Sequence, residues 1–239
     1  MQLTTTTSSP SRWRWLVALL VGVAGWYLAS ILGVIALSLL TDGPQNLQGP
    51  LLAPYAVVRL VAAAIFIALS LLFVGLRLSD LGLTREGWRG DVVIGLVLGT
   101  LQPVLQFALL IPLTGGAERS DVIASRALIG DTILGLLAAI VLGWLVGGVA
   151  EELFYRGFLI TGLRHFLGNR AWSVGVAVLV STLYFAAAHT YQGWIGWLDT
   201  GVAGLIWAGL YLWRGRLTAG IVAHGLNDML LLIGLYLWY

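Results

Sequence analysis

Long apolar runs separated by short polar ones set the rhythm of this chain. Residues 15–40 hold 26 positions without a charge, preceded by Arg12 and Arg14. A membrane-spanning helix needs about 20 predominantly apolar residues. The run is too long for the apolar core of a cleaved signal peptide, so a retained first span is expected. Residues 1–11, rich in Thr and Ser, are expected to be a disordered tail. After the turn-rich loop TDGPQNLQGP, a second run covers about residues 55–76 and carries Arg59 in its first turns. The charged loop RLSDLGLTREGWRG precedes a third run, about 92–113. Pro103 should kink that helix, and the Gly95/Gly99 pair should let another helix come close.

The mixed-charge segment 114–131 is expected to be a loop, partly helical at the membrane interface. A fourth run starts near Thr132, and its helical pattern continues past two glutamates to about Leu167. Runs at about 171–189 and 197–213 follow. A seventh begins near Leu217 and continues to Tyr239, with room for a break that would make eight. The expectation is an all-α, polytopic membrane helix bundle of about seven to eight spans. Residues 12–239 form its single embedded domain, and the half that carries the chemistry lies at about 132–239.

Composition agrees. The 239 residues are 59% hydrophobic and 10% charged, with a mean hydropathy of +0.93, which leaves too little charge to coat a soluble surface. There is no cysteine, so disulfides and thiolate metal ligands are excluded. Every basic residue is arginine, a weak sign of a GC-rich prokaryotic genome. A net charge of +2 gives no reason to invoke nucleic acid. If loops alternate sides, Arg12, Arg14, Arg77, Arg85, Arg89, Arg164, Arg170, Arg214 and Arg216 share one side, against Arg119 and Arg126 on the other. The positive-inside rule then places the N-terminus in the cytoplasm of a prokaryotic cell, with the bundle in its inner or plasma membrane. Trp13, Trp88, Trp172, Trp194 and Trp213 fall near predicted helix ends, as an aromatic belt requires.

Three polar sets interrupt otherwise apolar spans, where a charge costs about 2.5–3.5 kcal/mol on insertion scales. The first is Glu151, Glu152 and Arg156 within AEELFYRGF. On an α-helix Glu152 and Arg156 share a face and can pair, while Glu151 points about 100° away. A short charged patch snorkelling at a helix end would read the same way. The second is His189, closing FAAAH, where three alanines allow another helix to approach. The third is His224 and Asp228 in HGLND, one turn apart, with Asn227 off their face. Each alone has a packing explanation. Together they are better explained by convergence, because clustered groups satisfy one another. Such a set suffices to activate water, and Glu151, His189 and His224 suffice to ligate a zinc-type divalent metal. His165, Asp131 and Asp199 read as boundary residues. Arg59 calls for an acid on another span.

These sets, E-E-x-x-x-R, F-x-x-x-H and H-x-x-x-[N/D] in order on successive apolar helices, resemble the CPBP family. It comprises type II CAAX prenyl endopeptidases and bacteriocin-processing, Abi-like intramembrane proteases. The resemblance covers about residues 148–228; the earlier spans match only in hydropathy. It implies hydrolysis of a peptide bond in a membrane-associated protein or peptide. Glu151 would activate water, with Glu152 and Arg156 completing the first motif. His189 would help hold the water, and His224 and Asp228 would stand near the developing oxyanion. A metal-free glutamate mechanism and a metal-assisted one both stay open. Many relatives carry Asn where this chain has Asp228. An ionised carboxylate cannot donate to an oxyanion, so Asp228 is expected to orient a protonated His224, to carry a proton itself, or to bind metal. The competing classes are a proton-coupled transporter, disfavoured by the lack of an internal repeat, and a non-catalytic scaffold or immunity protein on the same fold. A prenylated tail is only one of the substrates the resemblance allows.

Overall fold

A computed structural model describes residues 10–41, 43 and 46–239. The expected tail lies outside the described residues, apart from Pro10 and Ser11. Eight main helices and several short 3₁₀ turns build the described chain, which is all-α. They are α1 (Arg12–Leu40), α2 (Leu52–Phe73), α3 (Trp88–Leu113), α4 (Ser120–Ile129), α5 (Ile133–Phe166), α6 (Ala171–Ala187), α7 (Gly193–Arg214) and α8 (Thr218–Trp238). All except α4 are apolar. Six are long and apolar enough to cross a membrane, and α6 is a shorter apolar helix of 17 residues. The chain is a polytopic membrane bundle. Its last helix runs unbroken from Thr218 to Trp238, so the count of apolar helices stays at seven.

The bundle turns apolar side chains outward as well as inward. Leu20, Ile31 and Leu39 of α1, Val97 of α3 and Leu134 of α5 are all exposed. Lipid is as apolar as leucine, so burial of such residues cannot drive helices together. Small residues and polar contacts must do it. The α3–α8 contact shows how. A Cβ on Gly95 would lie 2.7 Å from Val222 Cβ, and one on Gly99 would lie 2.5 Å from the Ala223 carbonyl oxygen. The pair lets the two backbones touch, as its spacing anticipates. Beyond it, Pro103 removes a backbone donor, and residues Gln106–Leu110 take the wider π winding before α3 ends.

Helix α5 is the axis of the molecule. Its start is capped by Thr132, whose hydroxyl accepts from the Gly135 amide at 3.0 Å. From Gly143 to Leu159 it is π-wound. Such windings are rare, mostly single turns, and concentrated at functional sites. Around it Trp26 of α1, Ile67 of α2, and Phe154, Tyr155 and Phe158 of α5 itself form the main core. Trp26 stacks on Phe154 with ring centres 4.5 Å apart. The glutamates therefore lie inside a continuous helix, wrapped by neighbours, and not at a frayed end.

The arginine-rich loops gather at one end. Arg14 donates to the Phe73 carbonyl, and the Leu217 amide donates to the Gly82 carbonyl at 3.1 Å. Asp91, fully buried, accepts from Arg214 and Arg216, each at 2.7 Å. At the other end α4 is a true helix, preceded by Arg119, which pairs with Asp121 at 2.6 Å and donates to Thr114 at 2.9 Å.

Candidate active site

Glu152 has no exposure to solvent, so its charge has to be met inside the protein. Two groups meet it at one oxygen, Oε1. Arg156 Nη1 lies 3.0 Å away, one turn on, and His224 Nδ1 of α8 donates at 2.9 Å. The arginine is itself held. Its Nη2 donates to the Gly204 carbonyl of α7 at 3.4 Å, and its guanidinium lies 4.4 Å from the Phe185 ring centre. This is the pair that the four-residue spacing anticipates. The histidine joining it was not legible, because it comes from a helix 72 positions away.

Glu151 also reaches His224, at the other ring nitrogen. Its Oε2 is 3.9 Å from Nε2, and Asp228 Oδ2 is 3.8 Å from the same atom. The α-helical expectation sent Glu151 to a different face. The wider winding reduces the angle between successive residues, and the two carboxylates grip one imidazole from both sides. A carbonyl or carboxylate only accepts, so Glu152 fixes the hydrogen on Nδ1 and leaves Nε2 toward Glu151 and Asp228. Both gaps exceed hydrogen-bond distance and suit a bridging water. Gly147 keeps that space open: a Cβ there would collide with the Asp228 carboxylate and come within 3.5 Å of His224 Nε2. Asn227, expected to point away, donates from Nδ2 to Asp228 Oδ1 at 3.2 Å.

His189 stands beside this cluster, outside direct contact. Helix α6 ends at Ala187, and His189 opens the short 3₁₀ turn Thr190–Gln192. Its Nδ1 donates to the Phe185 carbonyl at 2.8 Å, which leaves Nε2 as the free nitrogen of the neutral ring. The Phe185 ring lies between the two histidines, 4.7 Å from His189 and 5.9 Å from His224, centre to centre. The second set is thus adjacent to the other two across one aromatic ring.

Among the described residues no group of three or more His, Cys, Asp or Glu side chains is placed to hold a metal ion. The donor set proposed for zinc does not fit as arranged, and no chemistry below is routed through a metal. Two surface clefts lie away from the cluster. One, of about 720 Å³, is apolar and runs between α3 and α8 past Pro103, Phe107 and Ile233; the other, about 750 Å³, has a mixed lining that includes Gln48, Leu51, Arg126 and Asp131.

Other expectations meet mixed outcomes. His165 is half-buried and stacked on Trp15 at 4.6 Å, not freely solvated. Arg126 and Asp131 sit 3.6 Å apart at the surface. Asp199 lies inside α7, bonded to Gln106 of α3. Sequence reasoning missed that contact because it placed the start of the helix four residues late. Among the described residues Arg59 has no acidic partner, although one was expected.

All six candidate residues come from α5, α8 and the end of α6. Residues 133–230 match the family model described as Rce1-like, type II CAAX prenyl endopeptidase Rce1-like. This segment is similar to an Rce1-like domain. It begins with α5, ends two residues past Asp228, and includes every motif residue. No curated protein and no solved structure matches the chain. The Rce1-like match supports a CAAX-type intramembrane protease kind of function for this integral membrane protein.

Proposed function

We propose that the chain is an intramembrane endopeptidase that hydrolyses a peptide bond with a water activated by Glu151. The observation that carries this is the pair of gaps, 3.9 and 3.8 Å, between one imidazole nitrogen and two carboxylates from different helices. A water between them would be held by Glu151, Asp228 and His224 Nε2. Glu151 takes its proton, and the hydroxide attacks the scissile carbonyl. The carbonyl oxygen becomes an oxyanion, which the imidazolium of His224 stabilises by donating from Nε2. The tetrahedral intermediate collapses, the C–N bond breaks, and Glu151 returns the proton to the leaving amine. Glu152, itself paired with Arg156, holds the His224 ring in orientation through Nδ1–H. His189 is the outer wall of the site, its free Nε2 available to a second water or to the peptide backbone. Asp228 keeps the imidazole charged when ionised, the role left to a carboxylate that cannot donate.

The substrate is a membrane-associated protein or peptide that reaches the site within the bundle. The test is Glu151→Gln, which keeps shape and removes the base. Purified variant in lipid nanodiscs should cleave a membrane-anchored peptide at least 100-fold more slowly than the parent, the low end of general-base contributions. A rate within a few-fold of the parent would exclude Glu151 as the base.

A further inference from the structure

Arg59 lies well inside α2, seven residues from its start, yet no acidic side chain among the described residues pairs with it. What it does touch is aromatic. Its guanidinium lies 4.8 Å from the Trp26 ring centre and 5.9 Å from that of Tyr55, and Nη1 makes one long contact to the Tyr55 hydroxyl at 3.5 Å. Its Nε is buried and has no partner. A guanidinium carries five donors, so most of this one's capacity is unused. Cation–π contacts on two rings orient the group without neutralising it.

One ring separates the cation from α5, the helix that carries the candidate glutamates. Trp26, on which it rests, is stacked on Phe154, next to the Glu151–Glu152 pair in the chain. Trp26 also meets the Tyr155 ring edge-on, with centres 5.6 Å apart. Helix α2 lies outside the matched segment 133–230, so no motif assigns this residue a role.

We infer that Arg59 is a substrate-binding residue that holds a carboxylate of the peptide while the scissile bond lies at Glu151. A planar fork of donors with a free edge fits a carboxylate in a bidentate pair. The two carboxylates a peptide can offer are its free C-terminus and an acidic side chain. The proposal rests on the peptidase reading, and its test separates the two.

Binding is measured in the Glu151→Gln background, where the peptide is not consumed. A labelled membrane-anchored peptide is titrated in nanodiscs as its C-terminal carboxylate and as its carboxamide, each with an internal Asp or Asn. The carboxylate form should bind about tenfold or more tightly than the fully amidated, Asn-containing form, as charge-assisted hydrogen bonds imply. The single exchange that carries this loss names the source. Adding Arg59→Gln should abolish the preference and leave binding of the fully neutral peptide unchanged; Arg59→Lys should restore part of it. Equal binding of all four peptides overturns the proposal, and this comparison needs no Arg59 variant to fold. A loss in Arg59→Gln that is the same for all peptides assigns Arg59 a packing role, which also overturns it. A preference that follows anionic lipid in the nanodisc instead of the peptide's charge overturns it in favour of a lipid headgroup. If the parent chain cleaves none of these peptides while the binding preference holds, the peptidase reading fails and the carboxylate site stands.

Discussion

A carboxylate with no access to water must find its counter-charge within the fold, and Glu152 finds two. Because Glu152 and Arg156 are both buried and paired at 3.0 Å, removing one leaves the other charge stranded. Breaking a buried ion pair from one side costs about 3–5 kcal/mol. Arg156→Ala should therefore lower stability by about that amount, read from unfolding midpoints in detergent, and should cost more than Arg156→Lys. A change below 1 kcal/mol would mean that Glu152 is neutral or hydrated. The Glu152–Arg156 contact was legible because helical neighbours four apart almost always meet. That Glu151 meets the same imidazole was not, because the angle between successive residues was taken from the α-helix, and α5 is π-wound across both glutamates. His224 and Asp228 were legible as a set. Their partner could not be, since pairing between helices leaves no mark in local spacing. Arg59 shows the reverse error: charge in a span suggested an acid, and aromatic rings took its place.

Between α5 and α8 the working element is a narrow slot lined by glycine. Gly147 of α5 faces Asp228 and His224, while Gly220 of α8 faces Glu152, where a Cβ would lie 2.7 Å from Oε2. The slot brings the acids of one helix onto the imidazole of the other. Adding a single methyl to it should move the site more than it unsettles the bundle. Gly147→Ala is expected to reduce peptide cleavage at least tenfold, because a displacement of about 1 Å at reacting groups can cost 100-fold in rate. Its unfolding midpoint should fall less than that of Arg156→Ala. Parental activity in Gly147→Ala would show that Asp228 has free space to move into, contrary to the contact seen. The α3–α8 crossing was readable from the Gly95/Gly99 spacing. The Asp91 anchor for Arg214 and Arg216 was not, since a pairing between segments so far apart in the chain leaves no mark in local spacing.

Six of the apolar helices are long enough to cross a membrane and α6 is shorter; a path in which all seven cross predicts the two ends of the chain on opposite faces. Contacts link residues 14 and 73, 82 and 217, and 91 with 214 and 216, so arginine-rich segments share one face, as their alternation along the chain implied. Because the natural sequence lacks cysteine, sidedness can be read with single introduced thiols. Ser11→Cys should react with an impermeant maleimide only from the cytoplasmic face and Tyr239→Cys only from the other; labelling of both from one face would contradict a seven-helix path. At this scale the class of fold was fully legible, because hydropathy fixes where helices cross. The helix ends were less so, as His189 and Asp199 show, because loop geometry depends on partners elsewhere in the chain. The central claim is that acids and an imidazole from separate membrane helices hydrolyse a peptide bond. The measurement that tests it most directly follows the purified chain in nanodiscs with a membrane-anchored peptide, by mass spectrometry. The account predicts two fragments whose masses sum to the peptide plus one water, formed by the parent chain and suppressed by Glu151→Gln. An intact peptide under all conditions, with proton flux when the same chain is placed in liposomes, would contradict it and make the buried acids a transport path.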